Sequence, residues 1–587
     1  MQRLLFCKAF GLPDPGSGGL SIHHYLTGLF FLASLLLAGP AAAQPASPFS
    51  FTGSLGLSYD AYRFSESNYA TFRPRHPDNL ARFTADATLS AGRHFSMPFS
   101  VHITTGQNTY HLPSPPDEGL VEYIQNPRNN VHFYPSYRWV HGFLGAQTPD
   151  YSDLTTGDIA MFGTGLELDP GHFLFTVNYG KSQVGVEYDP FSNIAGAYEQ
   201  RIFASRIGYG PEDGTRFVLH FVKASDDETS IAAASPGIRP AEGITFSPLL
   251  QLRLSSSLYF STELAGSAYT FDLLGPENPY DNEVLDFMER ILTINASTNT
   301  DWSNVTSLEW RGETFTLGGE VRFVGPGFQS AGYRVMERDL IDYKINSRLQ
   351  LLNNRLMIDG SFGLRTNNLY DTTLDRTNRT LLNLNVFAQA SESFSINTNY
   401  ANFGFRNNVT LDTLRIEMVH HTVSVAPSYR IRSDAHTHVI SGTVSYSHFD
   451  EFNLFTGRFQ NTVSLSISSN YQLLFNDSPL SLGGMAMVLN NNTPTTDIRI
   501  INTGINARYR LLDDRLAPSL LLSHSHVTRE GFSADNRIRL NLKAGYRITD
   551  YADLNISWNA SNYRYGSSRP DATLLENRFQ VSLQTRF

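Results

Sequence analysis

The stretch Arg537-Ile-Arg-Leu-Asn-Leu-Lys-Ala-Gly-Tyr-Arg-Ile548 decides the fold, because its side chains alternate strictly between two kinds. Apolar residues occupy the even positions, and Arg, Lys, Asn or Gly occupies each odd position. A period of two places each kind on its own face of a β-strand. The stretch exceeds the roughly 5–6 residues of a typical globular strand. It also exceeds the roughly 9–11 residues that a tilted strand needs to cross a bilayer. The sequence therefore predicts a membrane-crossing strand whose polar face is wet.

The same alternation fills the remaining chain and is interrupted by two sorts of connection. Twelve short turns rich in Gly, Asn, Asp and Ser recur, mostly about 40 residues apart. Longer polar connections lie between them, for example 107–129, 225–242 and 274–296. The short turns are Ala91–His94, Val140–Gly142, Asp169–Gly171, Gly210–Gly214, Ser255–Ser257, Arg311–Glu313, Asn353–Asn354, Ser391–Ser393, Ser433–Ala435, Asn476–Ser478, Asp513–Asp514 and Asp550–Tyr551. They predict an all-β fold: a single antiparallel transmembrane β-barrel of about 26 strands, with about 24 as the alternative count.

The N-terminal residues 1–43 read as a cleavable signal peptide, which leaves 44–587 as the barrel domain. The run from Tyr25 to Leu37 is mostly apolar and ends before the small residues Ala41-Ala-Ala43. It is shorter than the about 20 residues that a transmembrane helix needs. The chain's one cysteine, Cys7, lies in this segment, so disulfides, Cys-ligated metals and thiol catalysis are excluded for the mature protein.

Composition excludes several functional classes. The 587 residues carry 45 Lys+Arg against 55 Asp+Glu, and this acidic balance argues against nucleic-acid binding. Charged residues make up only 17%, below the about 25% of soluble domains. No nucleophile elbow, zinc-protease, P-loop or dinucleotide motif appears, so we expect no enzyme and no cofactor. The histidines His420, His421, His448, His524 and His526 would lie near one rim without a carboxylate ligand pattern, so we expect no metal site.

The end of the chain resembles that of Gram-negative outer-membrane β-barrels. Phe587 is a terminal aromatic, and Phe579, Val581 and Leu583 precede it at alternate positions, whereas Thr585 departs from the apolar preference. In that class this pattern serves as the assembly signal. The resemblance is porin-like and identifies a class rather than a specific family. It implies the cell outer membrane as location, short periplasmic turns, long extracellular loops, contact with outer-membrane lipid, and recognition of the C-terminal strand by the barrel assembly machinery.

A basic stripe is predicted on the inner face of the last strands. Stripes of Arg and Lys favour anions in pores, and the alternative is that these charges only solvate and balance a wide lumen. Lys344 and Arg348 add to them on an earlier strand, and Glu263 and Glu320 are predicted to point inward and pair with Arg253 and Arg322. The stripe consists of Arg508, Arg510, Arg537, Arg539, Lys543, Arg547, Arg578 and Arg586.

The lumen of so wide a barrel is expected to be blocked, since barrels of about 22 strands already contain a plug. Inward-folded loops or a plug or periplasmic partner would serve. The proline-rich 107–129 is one candidate loop. The other is 281–292, read as a short amphipathic helix that is either a lid or an ordinary surface helix. Its apolar face contains Val284, Leu285, Met288 and Ile291.

Three functions remain open from the sequence. A porin-like channel or transport pore for solutes is the first. The second is a partner-dependent barrel for export or assembly of a protein, polysaccharide or lipid. In strand count the chain is similar to the barrel that inserts lipopolysaccharide, but that family has structural cysteines, which the mature chain would lack. The third is a surface receptor or adhesin scaffold.

Overall fold

Consecutive strands pair antiparallel along the whole described chain and form one sheet. The computed structural model describes residues 49–587 except 70, 106–129, 158, 192–193, 233, 278–288, 334–335, 374, 410–414 and 455. The predicted signal peptide 1–43 therefore lies outside the described residues. None of the described residues belongs to a helix long and apolar enough to span a membrane.

Within the described residues, the sheet contains 27 strand segments. The first nine are β1 (Phe49–Ser67), β2 (Asn79–Ala91), β3 (Phe95–Thr105), β4 (Val131–Phe133), β5 (Ser136–Tyr137), β6 (Val140–Gln147), β7 (Met161–Leu168), β8 (Phe173–Gln183) and β9 (Glu199–Tyr209). The next nine are β10 (Arg216–Asp227), β11 (Glu242–Arg253), β12 (Leu258–Thr270), β13 (Thr298–Arg311), β14 (Phe315–Val324), β15 (Leu340–Leu351), β16 (Leu356–Asn367), β17 (Asp375–Gln389) and β18 (Phe394–Val409). The last nine are β19 (Ile416–Arg432), β20 (His436–Asn453), β21 (Arg458–Phe475), β22 (Leu480–Asn492), β23 (Asp497–Tyr509), β24 (Leu516–Arg529), β25 (Phe532–Thr549), β26 (Ala552–Arg564) and β27 (Thr573–Arg586).

The sheet closes on itself because β27 pairs with β1. This seam runs from Ser54 opposite Arg586 to Ser67 opposite Thr573. Gly53 and Phe587 complete it with mutual backbone hydrogen bonds of 2.9 and 3.1 Å. Segments β4 and β5 together occupy one position between β3 and β6, so the 27 segments make 26 barrel strands. The predicted fold class, a large antiparallel barrel, and the predicted count of about 26 strands are confirmed.

The break between β4 and β5 corrects one predicted turn. Tyr134 and Pro135 separate the two segments, and a proline has no backbone N–H for the sheet. The turn expected at Val140–Gly142 is wrong, because Val140 begins β6 and the chain reverses one step earlier, at Arg138 and Trp139. Arg138 takes a positive φ of 55° there. The sequence misled because Gly142 sits inside a strand, where its N–H bonds the Pro135 carbonyl at 2.7 Å.

The two faces of the barrel differ as the alternation predicts. Large apolar side chains stand exposed on one face and meet across the strands, as Val444 does opposite Ile467. Ion pairs such as Arg348–Asp359 lie on the other face. Because a membrane barrel turns its apolar face to lipid, we assign this face to the outside. Exposed aromatic residues form a girdle near the short turns: Trp139, Phe173, Tyr209, Phe217, Trp310, Phe315, Tyr429, Tyr509, Tyr546 and Tyr551.

The connections also differ between the two ends of the barrel. One end has short turns throughout, such as 550–551 between β25 and β26. The other end has long connections in the N-terminal half, such as 271–297, and shorter ones later, such as 530–531. Both β1 and β27 have their free ends at the short-turn end. The predicted long connection 107–129 lies outside the described residues.

We predict that Phe587→Ala weakens the seam. The Phe587 ring stacks on Phe51 with 4.7 Å between centroids, and such a pair contributes about 0.5–1.5 kcal/mol. The folded barrel should therefore unfold at a lower temperature. The measurement heats samples to increasing temperatures and records, on a denaturing gel, the temperature at which the band of the folded barrel disappears. Phe475→Ala is the matched control, because Phe475 is also an aromatic residue at the short-turn end of its strand. Equal effects of the two changes would contradict a special role for Phe587.

Candidate functional site on the inner wall

Two long connections fold back against the inner face of the barrel. We call residues 148–157, between β6 and β7, the first inner loop, and residues 325–333, between β14 and β15, the second inner loop. Leu154 of the first and Phe328 of the second are both fully buried. They pack with inward side chains of the wall, namely Ala265, Val324 and Leu340. The chain itself therefore narrows the lumen along this wall.

Small residues let the two inner loops approach each other closely. A Cβ at Gly332 would lie 2.1 Å from the carbonyl oxygen of Thr155. A Cβ at Gly157 would lie 2.1 Å from the Tyr333 hydroxyl, and Gly157 also has a positive φ of 50°. Ser330 Oγ donates a hydrogen bond of 2.5 Å to the Thr155 carbonyl. The loops thus dock as one layer.

A buried carboxylate anchors the first inner loop to the wall. Glu263 of β12 is 7% exposed and accepts hydrogen bonds from Ser152 Oγ, at 2.6 Å, and from Ser247 Oγ. His220 Nδ1 of β10 lies 3.6 Å from the same carboxylate oxygen, and His220 is 2% exposed. A buried charge is tolerated only with such partners. Glu263 therefore couples the position of Ser152 to the barrel wall.

Further hydrogen bonds fix both loops on the same wall. The Tyr151 hydroxyl donates to Asn178 Oδ1 at 2.6 Å, and the guanidinium of Arg206 lies 5.0 Å from the centre of its ring. Burial raises the pKa of Tyr151 well above its ordinary value, so the hydroxyl keeps the proton that it donates. In the second loop, the Ala331 N–H donates to Thr245 Oγ1 at 2.9 Å.

The predicted ion pairs of the inward carboxylates are wrong. Glu263 is held by Ser152 and Ser247 rather than by Arg253. Glu320 bonds Lys344 at 3.0 Å, across the register of β14 and β15. Arg322 instead lies 3.8 Å from Asp153 of the first inner loop. The partner of each carboxylate depends on register and on loop docking, which the local pattern does not encode.

The predicted lid helix is only partly covered by the structure. Val284, Leu285 and Met288 lie outside the described residues. Ile291 lies in a turn, where its carbonyl accepts a 2.7 Å hydrogen bond from Lys223 Nζ. The lid remains a prediction. The inner loops that the structure describes are different segments, which sequence reasoning missed.

A weak sequence signal for these loops exists. The second loop reads Gly325-Pro-Gly-Phe-Gln-Ser-Ala-Gly-Tyr333, which is neither charged like a solvated loop nor alternating like a strand. Small residues around one large apolar residue are typical of a segment that packs closely. Such a stretch could have predicted burial, although not the wall on which it lies.

The basic stripe divides into paired and unpaired residues. Arg578 is 3.1 Å from buried Asp60 across the seam, Arg586 is 3.0 Å from Asp553, and Arg510 is 3.5 Å from Asp514. Among the described residues, the other five members form no ion pair. We call these five the basic column: Arg508, Arg537, Arg539, Lys543 and Arg547.

The basic column follows one strand along the height of the barrel. Four members alternate on β25 with the outward residues Ile538, Leu542 and Tyr546, so they face inward. Arg508 of β23 joins them, because both Arg508 and Lys543 stand opposite Ser519 of β24. Residues two apart on a strand are about 7 Å apart, so the column offers closely spaced positive charges.

Within the residues that the structure describes, the wall that carries the basic column is open to the lumen. Between Asn368 and Ala552, the described buried residues are Thr377, Asn407 and Asn453, and all three lie at the long-connection end of their strands. The inner loops instead cover inward residues of β9–β12, such as Ile202, Val222 and Ala265. Among the described residues, the part of the lumen that the inner loops leave uncovered therefore lies against the basic side.

Two of the histidines that the sequence places near the rim make hydrogen bonds with neutral side chains. His420 lies 2.7 Å from Ser447 Oγ, and His526 lies 2.9 Å from Asn536 Oδ1. Among the described residues, no group of three or more His, Cys, Asp or Glu side chains is placed to hold a metal ion.

Comparisons with known proteins find solved structures of similar architecture but do not identify a family for this chain. No family model matches the sequence, and no curated protein matches it. Among solved structures, the chain is similar to the translocation pore of the P pilus usher PapC, with 11% identity, a TM-score of 0.37, and coverage of 91% of this chain and 99% of that one. It is also similar to the siderophore receptor PirA from Pseudomonas aeruginosa, with 10% identity, a TM-score of 0.36, and coverage of 93% and 81%. Values this low carry no argument about function.

We predict that Glu263→Ala loosens the first inner loop. The change removes the acceptor of Ser152 and Ser247, and leaving buried donors unsatisfied costs about 1–3 kcal/mol. Amide hydrogen exchange in residues 151–157 should become about tenfold faster or more, since about 1.4 kcal/mol corresponds to tenfold.

The measurement is hydrogen exchange with mass spectrometry on the full-length folded barrel. Asp359→Ala is the matched control, because Asp359 is an inward carboxylate paired with Arg348 on a wall without inner loops. If exchange of residues 151–157 is unchanged in the Glu263→Ala variant, Glu263 does not anchor the first inner loop.

Proposed function

We propose that this chain is a porin-like transport pore of a bacterial outer membrane that passes small solutes and prefers anions. The observation that carries the proposal is the basic column, which faces inward on the open wall and forms no ion pair with a carboxylate in the described part of the chain. Rings or stripes of Arg and Lys in a pore attract anions and repel cations. The proposed pore catalyses no reaction and selects solutes by their size and charge.

The inner loops support a pore for small solutes over an export barrel for large substrates. They occupy part of the lumen through buried contacts, including those of Leu154 and Phe328. A barrel that passes a folded protein or a long polymer would need to release these contacts. If the protein passes no current, two other functions are favoured. They are export with a periplasmic partner and a receptor role for the long connections.

We further propose the route by which the barrel reaches its place. Residues 1–43 would be removed on export, and the barrel assembly machinery would recognise the strand that ends in Phe587. Supporting this, Phe579, Val581 and Leu583 face outward in β27, with Phe579 opposite Trp558 of β26. The C-terminal strand thus has an apolar face on the outside of the barrel, as such a signal requires.

We predict an anion-selective current through the purified, refolded protein in planar bilayers across a salt gradient. The reversal potential should have the sign for chloride, because the basic column raises the local anion concentration. The triple change Arg539→Gln, Lys543→Gln and Arg547→Gln should lower the chloride-to-potassium permeability ratio about threefold or more.

The control is Arg355→Gln, which removes a positive charge from the short turn between β15 and β16. Cation preference of the unchanged protein would overturn the charge preference. A folded barrel that passes no current would overturn the pore.

A further inference from the structure

The open wall contains a cavity of about 620 Å³ between β20 and β25. Most of its lining residues are at inward positions of their strands, including Ser468, Asn502 and Ser525. Its volume falls within the roughly 300–1,000 Å³ of small-molecule sites. Of the basic column, only Arg537 and Arg539 line the cavity. Its remaining lining includes apolar side chains, which a general preference for anions does not require.

One side of the cavity is apolar although it faces the lumen. Met485 and Met487 of β22 alternate with the outward Gly484, Ala486 and Val488, so both thioethers point inward. Ile500 and Val527 add branched side chains toward the long-connection end. Leu489 of β22 and Ile498 of β23 continue the apolar surface on the same inward face. An apolar surface in a wet lumen is costly unless something apolar covers it.

The opposite side of the cavity carries two guanidinium groups. Arg537 and Arg539 line it from β25, and neither forms an ion pair within the described residues. The Nε atom of Arg537 is buried without a hydrogen-bond partner in the part of the chain that the structure describes. The Arg537 guanidinium lies 4.6 Å from the ring centre of Tyr563, and its Nη2 donates a hydrogen bond of 3.3 Å to Ser561 Oγ. Two such groups suit a carboxylate or a similar planar anion.

Small residues separate the two sides of the cavity. Met485, Gly504, Ser523 and Arg539 stand opposite one another on four neighbouring strands. Three strand spacings place the outer two about 14 Å apart along the sheet. A Cβ at Gly504 would lie 2.7 Å from Met485 Cε, so a larger residue would displace the methionine. The wall is therefore concave between the thioethers and the guanidinium groups.

We propose that this cavity is a binding site for a small organic anion with an apolar body, such as an aromatic carboxylate. The carboxylate would contact Arg537 and Arg539, and the ring would lie on Met485 and Met487. Methionine is well suited to such a surface, because its flexible thioether adapts to ligands of different shape. The inference rests on the proposed function, since it names the class of solute that the pore would pass.

The test uses the full-length barrel in lipid nanodiscs and isothermal titration with 2-naphthoate and with acetate. We expect 2-naphthoate to bind about tenfold more tightly than acetate or better, and neutral 2-naphthol to bind more weakly than 2-naphthoate. Equal affinities for the two carboxylates would overturn the site without any variant. Titration does not depend on current, so a protein that binds 2-naphthoate and passes no current would refute only the pore.

Paired variants then locate the site. Met485→Ser with Met487→Ser should weaken 2-naphthoate about tenfold and leave acetate unchanged, whereas Arg537→Gln with Arg539→Gln should weaken both. The controls are Met357→Ser and Arg430→Gln, at inward positions of β16 and β19 outside the cavity. If the controls weaken binding as much as the cavity variants, the anion binds elsewhere in the lumen and the proposal fails.

Discussion

The structure depends on one constraint: in lipid, each backbone N–H and C=O group must find its partner within the protein. A sheet satisfies this constraint only when it has no edge, and here the pairing of β27 with β1 removes the last edge. Residues from the two ends of the sequence then share one surface. Arg578 reaches Asp60, and the Tyr62 hydroxyl reaches Glu576, 514 residues away. The charge distribution of the lumen is therefore a property of the closed barrel.

Closure also creates two walls with different roles. The wall of β8–β14 receives the inner loops, and its polar groups are used for docking, as Glu263 is by Ser152. The wall of β19–β26 has shorter connections and stays open, so its charges remain available to solutes. We expect the proposed pore to pass solutes along this side of the barrel, and the cavity beside Met485 and Arg539 lies there.

The sequence predicted the architecture well because alternation and turn chemistry are local. The stretch Arg537–Ile548 lies within one strand, and turns such as Asp550–Tyr551 fall where the strands end. Contacts that depend on barrel closure or on loop docking could not be predicted from the local sequence pattern. The pairing of Arg578 with Asp60 needs the seam, and the burial of Phe328 needs a wall distant in sequence. The break at Pro135 was missed because the short segments around it carry too little alternation to be recognised.

The uneven lengths of the connections have a consequence for how the chain folds. From β19 onward, neighbouring strands are joined by few residues at both ends, so their contacts are close in sequence and carry a small loop-closure entropy. The inner loops meet each other over 175 residues, through Ser330 and Thr155. Low contact order favours early formation, so we expect the C-terminal hairpins to assemble before the inner loops dock. In that order of assembly, the lumen is narrowed by the inner loops only after the C-terminal strands have paired.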